Sequence, residues 1–441
     1  MVSVEATIVA TAIPTIVGAL GGLRLFSWVF GIYVLTQAVG IPIYGRLADL
    51  YGRKTVMLVA VLLFLAGSIL SGFAHSMVML IVYRGLQGLG GGGVQPLAYT
   101  IVGDLYSGNE RARVQGYLSS TWGISAVAGP LLGAFVLQHV GWPAIFWINV
   151  PFGILCVWLV LRFFHEPIER RSHRIDYAGS ALLAAGAGAL MFALVMAGTL
   201  AIAPMVALGV VAVTLLVAFV AHELRTPEPM MPLRLLRVRA IGIANAANFA
   251  IGAMAMGVTA FVPTYVQGAM GRSAIAAGAM LGVMSFTWTA GALIASRALA
   301  RLTFRATAVA GGIVVVAGSA FLVLLLPTSG MWLPAAGTAL MGLGFGLVNV
   351  VLMIATQAQV GSDQRGAATA SILFMRQFGQ AIGSTAFGAV FNLGLSATPG
   401  AATIADSLHG IYAIMAGLGL VVLLLTFALP SKVRADDVRS S

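Results

Sequence analysis

Apolar runs of about twenty residues, broken by short charged or turn-rich stretches, recur along the whole chain. A helix of about 20 residues rises about 30 Å, the thickness of a bilayer's hydrocarbon core, so each run predicts a membrane-crossing helix. Cutting the pattern at its charge and turn clusters gives fourteen expected spans. The first ends near Leu20, and five more centre on Val34, Leu62, Val94, Ala126 and Leu155. A charged stretch from His165 to Asp176 then precedes two spans around Ala187 and Ala212. A second charged linker, His222 to Arg239, precedes six spans centred near Met254, Met284, Val316, Leu343, Ala381 and Leu418. The expected architecture is an all-α polytopic membrane protein with an N-terminal six-helix bundle (1–165) and a linker carrying two extra helices (166–235). A C-terminal six-helix bundle (236–430) and a cytoplasmic tail (431–441) complete it.

Composition agrees: of 441 residues, 60% are apolar and only 24 Lys or Arg and 13 Asp or Glu are charged. Soluble domains carry about 25% charged residues. The net charge of +11 would suit a nucleic-acid binder, but the basic residues are not clustered on one surface. All but four of the 24, the exceptions being Arg24, Arg84, Arg272 and Arg376, fall in the tail or in loops that follow even-numbered spans. Short cytoplasmic loops retain basic residues, so this alternation places both termini in the cytoplasm of a multi-pass cell-membrane protein, bacterial inner membrane being the expected setting. No nucleic-acid partner is expected.

The halves also repeat. At a constant offset of 254 residues, Leu86, Gly88, Leu89, Gly90, Gly92, Val94, Arg111 and Gly129 recur as Leu340, Gly342, Leu343, Gly344, Gly346, Val348, Arg365 and Gly383. Spans four and five therefore correspond to twelve and thirteen in the same orientation. Parallel six-helix halves are a recurrent transporter design.

Four stretches carry a family resemblance: Glu5 to Ile16 with Pro14; Gly45-Arg-Leu-Ala-Asp49-Leu-Tyr-Gly52-Arg53-Lys54; Arg84-Gly-Leu-Gln87-Gly88-Leu-Gly90; and Gly123 to Gly133 with Gly129-Pro130. The chain resembles the major facilitator superfamily over essentially its whole length, and within it the fourteen-span drug:proton antiporters. Their first-span motif is usually written with Asp where Glu5 stands. The resemblance implies two parallel six-helix bundles plus an inserted helix pair. It also implies further apolar residues ahead of Glu5, so that the first span as written is truncated.

Glu5 is the one acidic residue expected well inside an apolar segment. An ionisable group there is costly and points to function, and a carboxyl shielded from water holds its proton more readily. Glu5 is thus the proton-coupling candidate, unless its place near the chain start leaves it at a wet edge. The resemblance puts Arg84 beside it in the cavity, tuning its proton affinity; alternatively Arg84 snorkels to the interface. Arg376, with Gln377 and Gln87, is the candidate cavity and substrate set. By resemblance, Gly45, Asp49, Gly52 and Arg53 form a cytoplasmic gate; read without it, they are a topogenic turn with a helix cap. Gly123, Gly129, Pro130 and Gly133 form the antiporter-motif hinge, though small residues are also ordinary membrane packing. Met254, Met256, Phe261, Tyr265, Phe286 and Trp288 either line a greasy cavity or simply pack.

The expected function is secondary export of small hydrophobic or amphipathic compounds in exchange for protons by alternating access, with export of a specific metabolite or a non-transporting receptor as alternatives. The sequence holds two lysines and no Gly-x-x-x-x-Gly-Lys loop, which argues against a nucleotide-driven pump. One cysteine and six scattered histidines give no metal-ligand spacing and no nucleophile elbow, so no enzyme, metal or cofactor is expected and the proton motive force is the energy source. The partners expected are a small-molecule substrate, protons and the lipid bilayer, for a monomer.

Overall fold

The computed structural model describes residues 1–106, part of 114–139, and residues 140–164, 176–196, 201–226, 229, 233–299, 301–360, 365–394 and 400–429. The chain divides into two compact units, Met1–Met230 and Met231–Ser441. The first holds α1 (Val2–Leu20), α2 (Phe26–Tyr51), α3 (Arg53–Gly72) and α4 (Met77–Leu105). The described helical residues within 114–139 form α5, followed by α6 (Pro143–Trp147), α7 (Asn149–Phe163), α8 (Tyr177–Val195) and α9 (Ile202–Arg225). The second holds α10 (Arg239–Thr264), α11 (Ala274–Ala298), α12 (Phe304–Val323), α13 (Trp332–Gln357), α14 (Arg365–Gly394) and α15 (Ala401–Phe427).

Apolar composition makes these segments long, and polar residues set where several begin. Ser76, Asp176, Ser273 and Thr303 each accept the N–H three residues on, capping α4, α8, α11 and α12. Ten described helical segments are long and apolar enough to cross a membrane. Of the other expected spans, α1 has a shorter apolar stretch, Ile8–Leu20. α4 and α14, 29 and 30 residues long, carry Arg84 and Arg376 within them.

The glycine repeat has a structural meaning. Glycines at alternate positions of a helix point to different flanks, so α4 can be pressed against two neighbours at once. A Cβ on Gly90 would lie 2.7 Å from the Ala60 carbonyl of α3, and one on Gly92 would lie 2.6 Å from the Gln37 carbonyl of α2. In the second unit a Cβ on Gly344 would lie 2.8 Å from the Gly311 carbonyl of α12, and one on Gly346 would lie 2.7 Å from the Ala292 nitrogen of α11. Both units seat their fourth helix between the second and third by the same device, backbone against backbone.

Two expectations are corrected. Asp49 does not sit in a turn between Gly45 and Gly52: α2 runs on to Tyr51, and the reversal into α3 is made by Gly52 alone, at φ 85. Only glycine adopts that backbone at no steric cost. Gly45 is exposed, with open space where a Cβ would stand. The second charged linker also begins later than His222, because α9 runs to Arg225 and takes His222 and Glu223 into its last turn. Met254, Met256, Phe261 and Tyr265 are buried packing residues, whereas Phe286 on α11 is 71% exposed.

Candidate functional site

Two buried charged residues of the first unit, Glu5 and Arg84, meet at one place, apart from Glu223 on α9. Glu5, in the first turn of α1, is fully buried rather than at a wet edge, and Arg84 of α4 is 1% exposed. Arg84 lies seven residues into α4, about 10 Å of rise. Its side chain turns inward to ion-pair through Nη1 with Glu5 Oε1 instead of snorkelling outward. The guanidinium is fixed on every side. Its Nε donates to the Val29 carbonyl of α2 at 3.2 Å, its Nη1 to Gln87 Oε1 at 2.6 Å, and its Cζ stands 4.1 Å over the Tyr33 ring.

Two residues not anticipated from sequence complete the site. Asn149, the first residue of α7, donates from Nδ2 to the second oxygen of Glu5, Oε2, and to Ser68 Oγ of α3 at 3.1 Å. Ser68 Oγ also accepts from Gln87 Nε2 at 3.1 Å and donates to the Phe146 carbonyl of α6 at 2.7 Å. The polar atoms close a ring: Glu5, Arg84, Gln87, Ser68, Asn149 and back to Glu5. Four expected spans contribute to it, and every member is buried. A buried pair is stable only when its remaining donors and acceptors are satisfied; here each Glu5 oxygen accepts a hydrogen bond, and Arg84 Nε and Nη1 both donate. Gln87, expected in the substrate set, has both amide atoms committed here. Asn149 had a faint signal, being a lone amide in an apolar run two residues before Pro151. Ser68 had none, since a serine in a membrane helix more often bonds its own backbone.

The other candidates sit elsewhere. Arg376 and Gln377 lie half-buried on α14, where the Arg376 backbone abuts Gly252 of α10. Gly133 of α5 packs on α1, a Cβ there falling 2.8 Å from the Ile8 side chain and 2.9 Å from Thr11 Oγ1. The same helix pair is joined by Ser3 and Ser125 at 2.8 Å. Gly129 is helical and buried; Gly123 and Pro130 lie outside the described residues. At the α2–α3 junction the Asp49 side chain also lies outside the described residues, while Arg53 opens α3 and Lys54 Nζ donates to the Leu161 carbonyl at 3.1 Å. Among the described residues no group of three His, Cys, Asp or Glu could hold a metal.

Two bundles of long apolar helices, one with a sealed ion pair at its centre, define a polytopic membrane transporter. The chain belongs to the Major Facilitator Superfamily, whose pattern it matches over residues 1–384. It is 34% identical over 394 residues to Multidrug resistance protein 3 of Bacillus subtilis (strain 168), covering 88% of this chain and 77% of that one. It is 33% identical over 393 residues to the Multidrug transporter protein MdtP of the same organism, covering 88% and 73%. Its fold is similar to that of a bacterial homologue of the human lysosomal transporter Spinster, with TM-score 0.65 at 17% identity over 97% of this chain and 93% of that one. The superfamily expectation from the sequence therefore holds.

Proposed function

We propose that this transporter exports small hydrophobic or amphipathic compounds in exchange for protons, as a fourteen-span drug:proton antiporter working by alternating access, with both termini cytoplasmic. The observation that carries this reading is the buried Glu5–Arg84 pair within its ring. A carboxylate fully removed from water, held by one arginine and one amide, is a group whose charge can be cancelled by one proton. Cancelling it also weakens the contacts among the four spans that hold it. Names given to relatives, a multidrug transporter and a multidrug resistance protein, support drugs as cargo. A relative from Aspergillus aculeatus, 31% identical and named for the acurin A biosynthesis cluster, favours a second reading in which the cargo is one metabolite.

In this scheme Glu5 carries the proton and Arg84 sets when it is released. Arg376 and Gln377 contact cargo, Asp49 and Arg53 latch the cytoplasmic end with Gly45 and Gly52 shaping the junction, and the α5 set at Gly123, Gly129, Pro130 and Gly133 slides against α1. Each proton moved inward yields about 2.3 kcal/mol per 100 mV plus about 1.4 kcal/mol per pH unit, enough to drive useful accumulation. The test uses everted vesicles with an acidified lumen, to which ethidium is added while a pH-sensitive dye reports lumenal proton loss. Wild type releases protons in step with ethidium uptake; Glu5→Gln retains ethidium binding and loses the release. Unchanged coupling in Glu5→Gln removes Glu5 as the carrier. In the same assay Asp49→Asn slows uptake without abolishing binding.

A further inference from the structure

We propose that Asn149 reads the protonation state of Glu5, through an amide flip that passes the change by way of Ser68 to the Phe146 carbonyl ahead of Pro151. This deepens the proton-carrier reading above and rests on it.

The argument follows from which atoms can donate. The ring as it stands suits an ionised Glu5: Arg84 donates to Oε1 and Asn149 Nδ2 donates to Oε2. A proton arriving at the carboxyl goes to Oε2, because Oε1 faces the permanently charged guanidinium. Oε2–H is then a donor facing Nδ2, which has no lone pair to offer. The contact must break, or the amide must rotate by a half turn and present Oδ1. Rotation gives the buried Oε2–H an acceptor, whereas a broken contact leaves it with none.

The rotation cannot stay local. Asn149 Nδ2 also donates to Ser68 Oγ, 3.1 Å away, and lies 3.4 Å from the Phe146 carbonyl. With Oδ1 in its place, two oxygens face each other across the Asn149–Ser68 contact. The serine hydroxyl must then swing its hydrogen from the Phe146 carbonyl, where it donates at 2.7 Å, to Asn149 Oδ1. Ser68 still accepts from Gln87 Nε2, so that side of the ring is preserved. The net result of one proton gained at Oε2 is that the Phe146 carbonyl loses both of its side-chain donors, Ser68 Oγ and Asn149 Nδ2. The backbone stays helical through Ile148, at φ -59 and ψ -24, but Pro151 has no N–H to offer the Trp147 carbonyl next to Phe146. A second carbonyl released beside one that proline leaves without its helical donor is a place where the span can bend. No bond is made or broken besides the O–H at Oε2, and the return flip accompanies proton release.

The groups that could mimic such a response are few. Among the described residues, the charged or titratable groups facing Glu5 are Arg84 on α4, Tyr33 on α2 and the amino group of Met1 on its own helix. From α3 and from α6–α7 the facing groups, Ser68 and Asn149, do not titrate. An amide signal that follows pH therefore identifies Asn149.

The test is infrared difference spectroscopy of the purified full-length chain across a pH titration, with asparagine isotopically labelled. In wild type, a protonated-carboxyl band absent from Glu5→Gln and an asparagine amide band appear at the same midpoint. In Asn149→Leu the amide band disappears, and the protonated-carboxyl band moves to higher frequency because its O–H has lost the amide acceptor. Should that variant not fold, Ser68→Ala, a smaller change, shifts the asparagine band itself, since the amide has lost its serine partner. A carboxyl band that appears with no asparagine band, or bands unmoved in these variants, overturns the role of Asn149 while leaving Glu5 as carrier. Failure of the carrier reading appears separately, as intact proton release by Glu5→Gln in vesicles.

Discussion

The two units share a scaffold but not its charge. In each, glycines 254 positions apart seat the fourth helix between the second and third, Gly90 and Gly92 in one unit and Gly344 and Gly346 in the other. In each, polar contacts tie the unit's first helix to its fourth and fifth. In the first unit these are the Glu5–Arg84 ion pair and the Ser3–Ser125 hydrogen bond. In the second they are Asn349 Nδ2 donating to Asn248 Oδ1 at 2.9 Å and Asn245 Nδ2 donating to Ser371 Oγ at 3.2 Å. The repeat offset takes Arg84 to Thr338, which bonds its own helix at Pro334, and Gln87 to Met341. Among the described residues the second unit buries no charged side chain. The glycines carry what every such bundle needs, close helix packing, whereas a buried ion pair is a costly addition that packing does not require. Its restriction to one unit is the physical reason for placing proton chemistry there.

The largest effect should come from breaking the asymmetry at its charge. Arg84→Met alone strands the Glu5 carboxylate and should destabilise the protein by about 3–5 kcal/mol, whereas Glu5→Gln with Arg84→Met should restore most of that stability. Proton release should be absent from both, so thermal melting in detergent separates fold from chemistry. If the double variant melts as low as the single one, the ring serves structure more than charge. The next effect tests the shared scaffold. Gly90→Val and Gly344→Val should each cost at least about 1–3 kcal/mol by overpacking, with similar losses in melting temperature. A clear difference between them would mean that the repeated glycines do unequal jobs.

How much of this was legible in the sequence follows from what each signal depends on. Most span positions, the repeat and the oddity of Glu5 and Arg84 as charges in apolar runs could be read, because apolar periodicity, glycine register and a charge in an apolar run are local properties. The pairing of Glu5 with Arg84 came only through a family resemblance, since 79 residues separate them. Asn149 and Ser68 stayed hidden because neutral polar residues in membrane helices usually satisfy themselves, as Thr36 and Ser71 do on carbonyls of their own helices. The Gly45–Gly52 stretch misled because glycine reads as a turn signal wherever it occurs. Whether a given glycine bends the chain depends on φ, and only Gly52 has the backbone of a turn.

The neutral pair in the second unit should be worth less than its charged counterpart. Asn349→Leu removes the Asn248 partner and should cost about 0.6–2 kcal/mol, the range for polar pairs between membrane helices. The pH dependence of proton release should be unaltered. A shifted pH profile in this variant would show that the second unit also handles protons, and the contrast between the units would fail.

The smallest effect concerns α8 and α9, a helix pair attached to the first unit. Asp176 caps α8, accepting from Gly179 N–H at 2.8 Å, and pairs with His222 Nε2 of α9 at 2.7 Å. Burial pushes the Asp176 carboxyl up, but the Gly179 N–H together with His222 and Glu223 outweighs it and holds the group below its ordinary 3.8. A carboxyl whose pKa is lowered by folding stabilises the folded state above its unfolded value and loses that contribution as pH falls through the folded one. Asp176→Asn keeps the cap and removes the charge. With His222 34% exposed, the loss should stay below about 1 kcal/mol. The melting difference from wild type should be constant between about pH 8 and 5 and shrink only below about pH 4. A difference that persists at the lowest pH would mean that the contact depends on shape and not on charge.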